Sequence, residues 1–354
     1  MKVVIAPDSF KGSISNVDAA AMIAEGWLSI RPDDEVIQKP MADGGEGTLK
    51  TIAMQNPDSL PISCNLEHEC FWLLMPDATA YLELASICGL TLQGTQNPMS
   101  AHTFELGKVL REIASDKRVN RIVLSVGGSA STDGGAGLLR ALGARLYAAN
   151  GEEIEGGGAG LTHLSQLDIS GVIAPPPGGV TCLSDVTNPL LGPSGSAAIY
   201  SPQKGANPEE VVELARGLER LLEVSGQPDF PGAGAAGGTP YGLSIAWDIT
   251  MKSGALAIAT LIGLSESIQE ADLVITGEGR LDLQSAYGKV VGAITELAKS
   301  AGKEIVYCVG SSEIEMGESG VALIDIAPSL NDAISDPRRW LIQAGRELAL
   351  RVKN

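Results

Sequence analysis

The chain has little of what several familiar kinds of site require. Its 354 residues hold three histidines, His68, His102 and His163, far apart and outside any strand-end loop. Neither a Ser-His-Asp order nor an H-E-x-x-H pair is present, so histidine-based nucleophilic catalysis has no support. Five cysteines are scattered, odd in number and never spaced C-x-x-C. That argues against a disulfide scaffold and against a zinc ribbon. Aromatic residues make up 4% of the chain, so the core must be aliphatic. Basic residues are scarce: 25 Lys and Arg against 43 Asp and Glu leave a net charge of −18. Such a chain is a poor binder of nucleic acid or of anionic membranes. No uninterrupted apolar run approaches the roughly 18 residues of a membrane span. The run at residues 1–6 is too short for a secretory h-region and meets Pro7-Asp8, so the cytoplasm is the expected location. A Walker A loop is also missing: Leu283 stands where the first glycine before Gly288-Lys289 belongs, and His102 where that before Gly107-Lys108 belongs.

What the chain does have is glycine, 43 residues of it, well above the usual share of about 7%. The excess is local. Five times an apolar run stops and a small loop carrying a carboxylate begins. Residues 2–6 lead to Pro7-Asp8-Ser9-Phe10-Lys11-Gly12-Ser13, and residues 35–40 to Met41-Ala42-Asp43-Gly44-Gly45-Glu46-Gly47. Residues 121–126 lead to a loop running from Gly127-Gly128-Ser129 through Ser131-Thr132-Asp133 to Gly134-Gly135. Residues 180–183 lead to Ser184-Asp185-Val186-Thr187-Asn188-Pro189, and residues 271–276 to Gly277-Glu278-Gly279-Arg280-Leu281-Asp282. Ligands of open α/β sheets bind outside the carboxyl ends of the strands. Repeated glycine, carboxylate and hydroxyl at those ends describes a polar site.

Helical spacing over 16–30, 48–55, 102–114, 136–147, 209–224, 254–263, 287–299 and 340–352 alternates with strand-like runs at 2–6, 35–40, 121–126, 180–183, 271–276, 304–309 and 321–327. That is the signature of an α/β fold with a mostly parallel sheet covered on both faces. Residues 60–66, 70–75 and 80–85 read as an antiparallel patch. The expected organisation is a discontinuous α/β domain of residues 1–85 plus 265–354, with a second α/β domain, 86–264, inserted in the middle. No fixed-period repeat is present.

Each motif admits more than one use. Residues 127–135, between a strand and a helix, could cradle an anion with backbone donors and hydroxyls, or could be a tight turn needing small residues. The G-x-G-x-x-G within residues 232–238 has no strand before it; it either touches a ligand or lines tight packing. Lys11 and Lys204 sit in small uncharged loops as candidate phosphate or carboxylate contacts, or as solvated lysines. Glu278, Arg280 and Asp282 could serve a site or form a local ion pair. Many strand-end carboxylates, a few cations and no histidine or cysteine base fit Mg²⁺-assisted phosphoryl transfer, which needs positioning and charge neutralisation more than covalent chemistry.

In combination these motifs resemble the glycerate kinase type 1 family. The likeness also takes in Gly192-Pro193, Pro202-Gln203-Lys204-Gly205 and Gly288-Lys289, and runs in order from Met1 to about Val309. It implies ATP-dependent phosphorylation of D-glycerate, at the 2-hydroxyl, to 2-phosphoglycerate. It implies two domains, one a flavodoxin-like parallel sheet with helices on both faces and one mixed α/β and restriction-enzyme-like, with the active site in the cleft. The matching residues are Asp8, Lys11, Asp43, Glu46, Ser129, Asp133, Asp185, Asn188, Lys204, Glu278, Arg280, Asp282 and Lys289. Within that frame Asp185 is assigned as the base, with Asp133 in reserve, and Lys204 and Arg280 as catalytic cations. Asp8, Lys11, Gly127, Gly128, Ser129, Thr132, Asn188 and Lys289 are assigned to substrate and phosphate, and Asp43, Glu278 and Asp282 to Mg²⁺. ATP and D-glycerate are the implied partners of a monomer or homodimer. The chain departs from the family where Glu105-Leu106-Gly107-Lys108 replaces a Gly-Thr-Gly-Glu run, and where residues 59–90 and the stretch after Gly310 are short. If those segments touch substrate, the acceptor would be another small hydroxy acid, or the chain a noncatalytic binder of small anions.

Overall fold

The computed structural model describes residues 1–92, 96–282, 289–316 and 320–352. Its strands are β1 (Lys2–Pro7), β2 (Glu35–Gln38), β3 (Leu60–Ser63), β4 (Phe71–Leu74), β5 (Thr79–Glu83), β6 (Arg121–Ser125), β7 (Arg145–Ala148), β8 (Leu164–Asp168), β9 (Val180–Leu183), β10 (Ile249–Lys252), β11 (Leu273–Gly277), β12 (Arg280–Leu281), β13 (Glu304–Val309), β14 (Ser311–Ser312) and β15 (Gly320–Ala322). The chain is α/β and forms two compact units: residues 1–43, 50–57 and 253–354, and residues 44–49 and 58–252.

The first unit is built on a wholly parallel sheet, ordered β2-β1-β11-β13-β15. Counted along the chain, that is the 2-1-3-4-5 order of flavodoxin-like sheets. Val3, Val4, Ile5 and Ala6 of β1 are fully buried, as a strand covered on both faces requires. Helix Asn16–Ile30 starts at Ser15, whose hydroxyl accepts the Asp18 N–H. It packs on helix Pro337–Arg351, and two glycines set the distance. A Cβ on Gly26 would lie 2.1 Å from the Ile342 carbonyl oxygen, and one on Gly345 2.4 Å from that of Ile23.

The second unit holds a mixed sheet, ordered β10-β9-β6-β5-β4-β3. Its first four strands are parallel, and β4 and β3 are antiparallel additions. This corrects the expected boundaries at 85/86 and 264/265. β5 pairs in parallel with β6 from Thr79↔Arg121 to Glu83↔Ser125, so the antiparallel patch extends the second sheet and the division falls at 57/58 and 252/253. Two elements are also shorter than expected. The helix expected over 136–147 ends at Leu142, because Gly143 adopts φ +118° and β7 follows. The strand expected over 321–327 is β15 followed by helix Leu323–Ile326. The start of the helix expected over 287–299 lies outside the described residues; its described part is Val290–Ser300.

Candidate active site

In the first unit β1 and β11 are neighbours, at the point where the strand order reverses. Their carboxyl ends are held in register: Pro7 pairs with Gly277, and the Asp8 N–H donates to the Gly277 carbonyl at 2.8 Å. Gly277 has no room for a side chain, since a Cβ would lie 1.6 Å from the Cys308 carbonyl oxygen. Beyond β11 the Gly310 and Ser311 N–H groups donate to Glu278 and Gly279 at 2.9 and 3.0 Å. After β1 the chain turns back, with Phe10 and Ser13 N–H groups donating to Ile14 and Phe10 carbonyls at 3.0 and 2.8 Å. These loops enclose a cavity of about 310 Å³. Its polar lining includes Asp8, Ser9, Lys11, Glu278, Arg280, Asp282 and Lys289, and its apolar lining Phe10, Leu323, Leu330, Ala333 and Ile334.

Asp8 dominates the electrostatics. It is 7% exposed and accepts the Ser9 N–H at 2.6 Å. Burial first, and then the charge of Asp43, push its carboxyl up to about 7. The Ser9 N–H and Lys11 oppose the rise, and Glu278 adds to it. Lys11 stands 3.9 Å from Asp43. Arg280 pairs with Glu313, a residue the sequence reading missed, and the hydrogen bond to that carboxylate raises the guanidinium above its ordinary value. Lys289 is the N-cap of helix Val290–Ser300; its neighbour Gly288 lies outside the described residues.

Three acids are assigned to Mg²⁺: Asp43, Glu278 and Asp282. Among the described residues no three acids, histidines or cysteines stand together as a metal cage. The charges of Asp43 and Glu278 act on Asp8, and the charge of Asp282 acts on Arg280.

In the second unit several backbone donors of the 127–135 loop are used within the protein. Gly127, Ala130 and Gly134 N–H groups donate to Gly44, Cys88 and Gly237 carbonyls at 2.9, 3.1 and 2.9 Å. Asp133 is fully buried and accepts four hydrogen bonds: from Thr103 N–H and O–H at 2.9 and 2.8 Å, and from Gly137 and Gly135 N–H at 3.0 and 3.2 Å. The next free donor of helix Ala136–Leu142, Leu138 N–H, is taken by the Thr103 hydroxyl at 2.9 Å. The helix therefore receives its anion from its own chain, with Asp133 anchoring its first turn. Ser129, Ser131 and Thr132 are buried, with the Ser131 and Thr132 hydroxyls unpartnered among the described residues; Gly127 is half-buried and Gly128 exposed.

Lys204, assigned as a catalytic cation, is bound to the same loop. It is 3% exposed, and its ammonium donates to Ser129 Oγ at 2.9 Å and to the Ser131 carbonyl. Burial lowers its pKa to about 8, against the pull of Asp133. It ties the loop together from inside. The glycine-rich run 232–238 serves packing: a Cβ on Gly237 would fall 1.9 Å from the Ser131 carbonyl oxygen.

Asp185 stands half-buried just past the carboxyl end of β9. Asn188 is engaged in its own loop, its amide N–H on the Ser194 carbonyl at 2.7 Å and its oxygen accepting the Tyr200 hydroxyl at 2.6 Å. The departure at 105–108 is structural. Leu106 and Gly107 are buried, Gly107 against helix Ala136–Leu142, while Glu105 and Lys108 form a solvated pair at 2.8 Å. A buried acid that the sequence did not mark is Glu83, at the end of β5, which accepts Gly47 and Leu49 N–H groups at 3.1 and 3.0 Å.

A family model described as the glycerate kinase family matches residues 3–354. The chain belongs to this family, and it is a kinase. Among relatives, a glycerate 2-kinase of Escherichia coli K12 is 38% identical over 337 residues, covering 90% of this chain and 87% of its own. A glycerate kinase of Halalkalibacterium halodurans is 36% identical, covering 98% and 97%. A crystal structure of a protein assigned as glycerate kinase 2 from Salmonella typhimurium LT2 superposes with a TM-score of 0.77 at 33% identity, covering 99% of this chain and 97% of that one. No helix among the described residues is long and apolar enough to cross a membrane.

Proposed function

We propose that the chain transfers the γ-phosphoryl group of ATP to the 2-hydroxyl of D-glycerate, giving 2-phosphoglycerate and ADP. Membership of the glycerate kinase family supports glycerate as acceptor, and the name of the Escherichia coli relative supports the position. The observation that carries the reading is the polar side of the first unit's cavity. There the cations Lys11, Arg280 and Lys289 line one cavity with the acids Asp8, Glu278 and Asp282 at the switch point of a parallel sheet. Phosphoryl transfer asks for that mixture: cations for the phosphate oxygens and acids for a metal or a proton.

The donor set suits Mg²⁺, which takes one or two carboxylates and completes its shell with phosphate oxygens and water. Asp43 and Glu278 would hold it, and the repulsion they exert on Asp8 is the excess charge a cation relieves. Bound Mg²⁺ would supply neutralisation of phosphate charge. Lys11 and Lys289 hold phosphate oxygens, and Arg280 leaves Glu313 to join them. Asp185 keeps its assignment as acceptor of the hydroxyl proton. With Asp133 committed to Thr103, Asp8 becomes the reserve, since a carboxyl near neutrality suits proton transfer.

The test is ADP release from purified protein with D-glycerate, ATP and Mg²⁺, with the product read by phosphorus NMR. 2-Phosphoglycerate is expected. A 3-phosphoglycerate product refutes the position. Absence of ADP with any small hydroxy acid, alongside saturable glycerate binding, makes the chain an anion-binding protein instead.

A further inference from the structure

The polar side of the cavity has work in the proposed reaction, but its apolar side has none yet. Helix Leu330–Ser335 presents Leu330, Ala333 and Ile334 at i, i+3 and i+4, which is one face of a helix. Leu330 is 60% exposed and Ile334 51% exposed. Large aliphatic side chains left open beside a charged cavity mark a surface that a ligand covers. The helix is held at the cavity by Ser13, whose hydroxyl donates to the Ile334 carbonyl at 3.1 Å.

Among the participants in glycerate phosphorylation, only one has an apolar face. Every carbon of glycerate carries oxygen, so aliphatic side chains gain nothing from it. The cavity, about 310 Å³, has room for about ten water molecules, and a three-carbon acid would leave most of it empty. A purine ring has two apolar faces, and its attached phosphates have Lys11 and Lys289 in the lining of the same cavity. We infer that Leu330, Ala333 and Ile334, with Leu323 behind them, form the seat of the nucleotide's purine ring. This rests on the kinase reading above for the identity of the ligand.

The test uses the double variant Leu330→Asn, Ile334→Asn in the full chain. Both positions are exposed, so the fold is kept, and both substitutions are neutral, so phosphate charge is not repelled. Three dissociation constants are measured by calorimetry: for ATP, for inorganic triphosphate and for D-glycerate alone. The expected result is an ATP constant raised about tenfold, with the triphosphate and glycerate constants within about twofold of the parent. Unchanged ATP binding overturns the inference. An equal loss for triphosphate and ATP overturns it too, because the wall would then act on the phosphates. A selective loss for glycerate overturns it by making the cavity the acceptor's. Should the parent protein fail to phosphorylate glycerate while the variant still loses ATP selectively, the purine seat stands and the proposed acceptor falls.

Discussion

Replacing Asp8 by asparagine should stabilise the protein, and more so at alkaline than at acid pH. The carboxyl titrates at 3.8 in an ordinary setting and at about 7 in the folded chain. The folded state therefore keeps a proton over a range in which the unfolded chain has released it. Stability falls as pH rises from about 4 to about 7 and is level beyond that. At 1.36 kcal/mol per tenfold change in proton affinity, ionised Asp8 costs about 4 kcal/mol. Nearly all of that cost is present at about pH 8, and only about 2 kcal/mol at about pH 5. The asparagine side chain would still offer an oxygen to the Ser9 N–H, which sits 2.6 Å from the native carboxylate, so the backbone bond survives. The advantage of Asp8→Asn over the parent should widen by about 2–3 kcal/mol between the two pH values. Urea unfolding midpoints at both pH values, with EDTA present, measure it. An advantage that does not change with pH, or a loss of stability at pH 8, would refute the claim that burial and the neighbouring Asp43 burden this carboxyl.

Asp185→Asn should lower kcat by about 10²–10⁴ while leaving ATP affinity within about twofold; rapid-quench kinetics and calorimetry separate the two. Lys204 gives the opposite pH slope to Asp8. Its folded pKa of about 8 lies below the ordinary 10.5, so the unfolded chain holds the extra proton and stability should rise by about 3 kcal/mol as pH climbs from about 8 to 10.5. Lys204→Met should abolish that rise in urea titrations. Asp133→Asn should cost about 2–4 kcal/mol of stability by leaving buried donors of Thr103, Gly135 and Gly137 short of an acceptor; kcat per folded molecule should fall by far less than the loss expected from removing a base.

The strands that position the cavity were legible because they are short apolar runs stopped by glycine and carboxylate. The run expected over 2–6 is β1, Lys2–Pro7, and that over 271–276 is β11, Leu273–Gly277. Local pattern could not tell which sheet residues 60–85 would join. That depends on β5 lying beside β6, with helix Phe104–Ser115 between them in the chain. Nor did pattern end the helix at Leu142. The turn at Gly143 answers to a distant approach, since a Cβ there would fall 2.1 Å from the Gly171 carbonyl oxygen. In the cavity, Asp8, Lys11, Glu278, Arg280, Asp282 and Lys289 were visible as charges in strand-end loops. The apolar wall was not, because Leu323 falls in a stretch that reads as strand, and Leu330 and Ile334 look like ordinary surface aliphatics until the cavity is seen beside them.

The 127–135 loop shows why glycine, hydroxyl and aspartate together do not by themselves identify a phosphate cradle. A helix N-terminus with open N–H groups attracts an anion, and the anion can be a ligand or a carboxylate of the same chain. The composition needed is the same in both cases, because glycine admits the close approach and small residues leave space for it. What separates the cases is how many donors are left over. In this loop Asp133 lies two residues before Gly135 and four before Gly137, within reach of both N–H groups, and Thr103 closes the arrangement from another helix. In the Asp8 loop the carboxylate takes, among the described residues, the adjacent Ser9 N–H, and its neighbours include other acids. The first loop has spent its anion on its own fold. The second holds negative charge in surplus beside exposed Lys11, and surplus charge is what a cation and a phosphate chain together can neutralise.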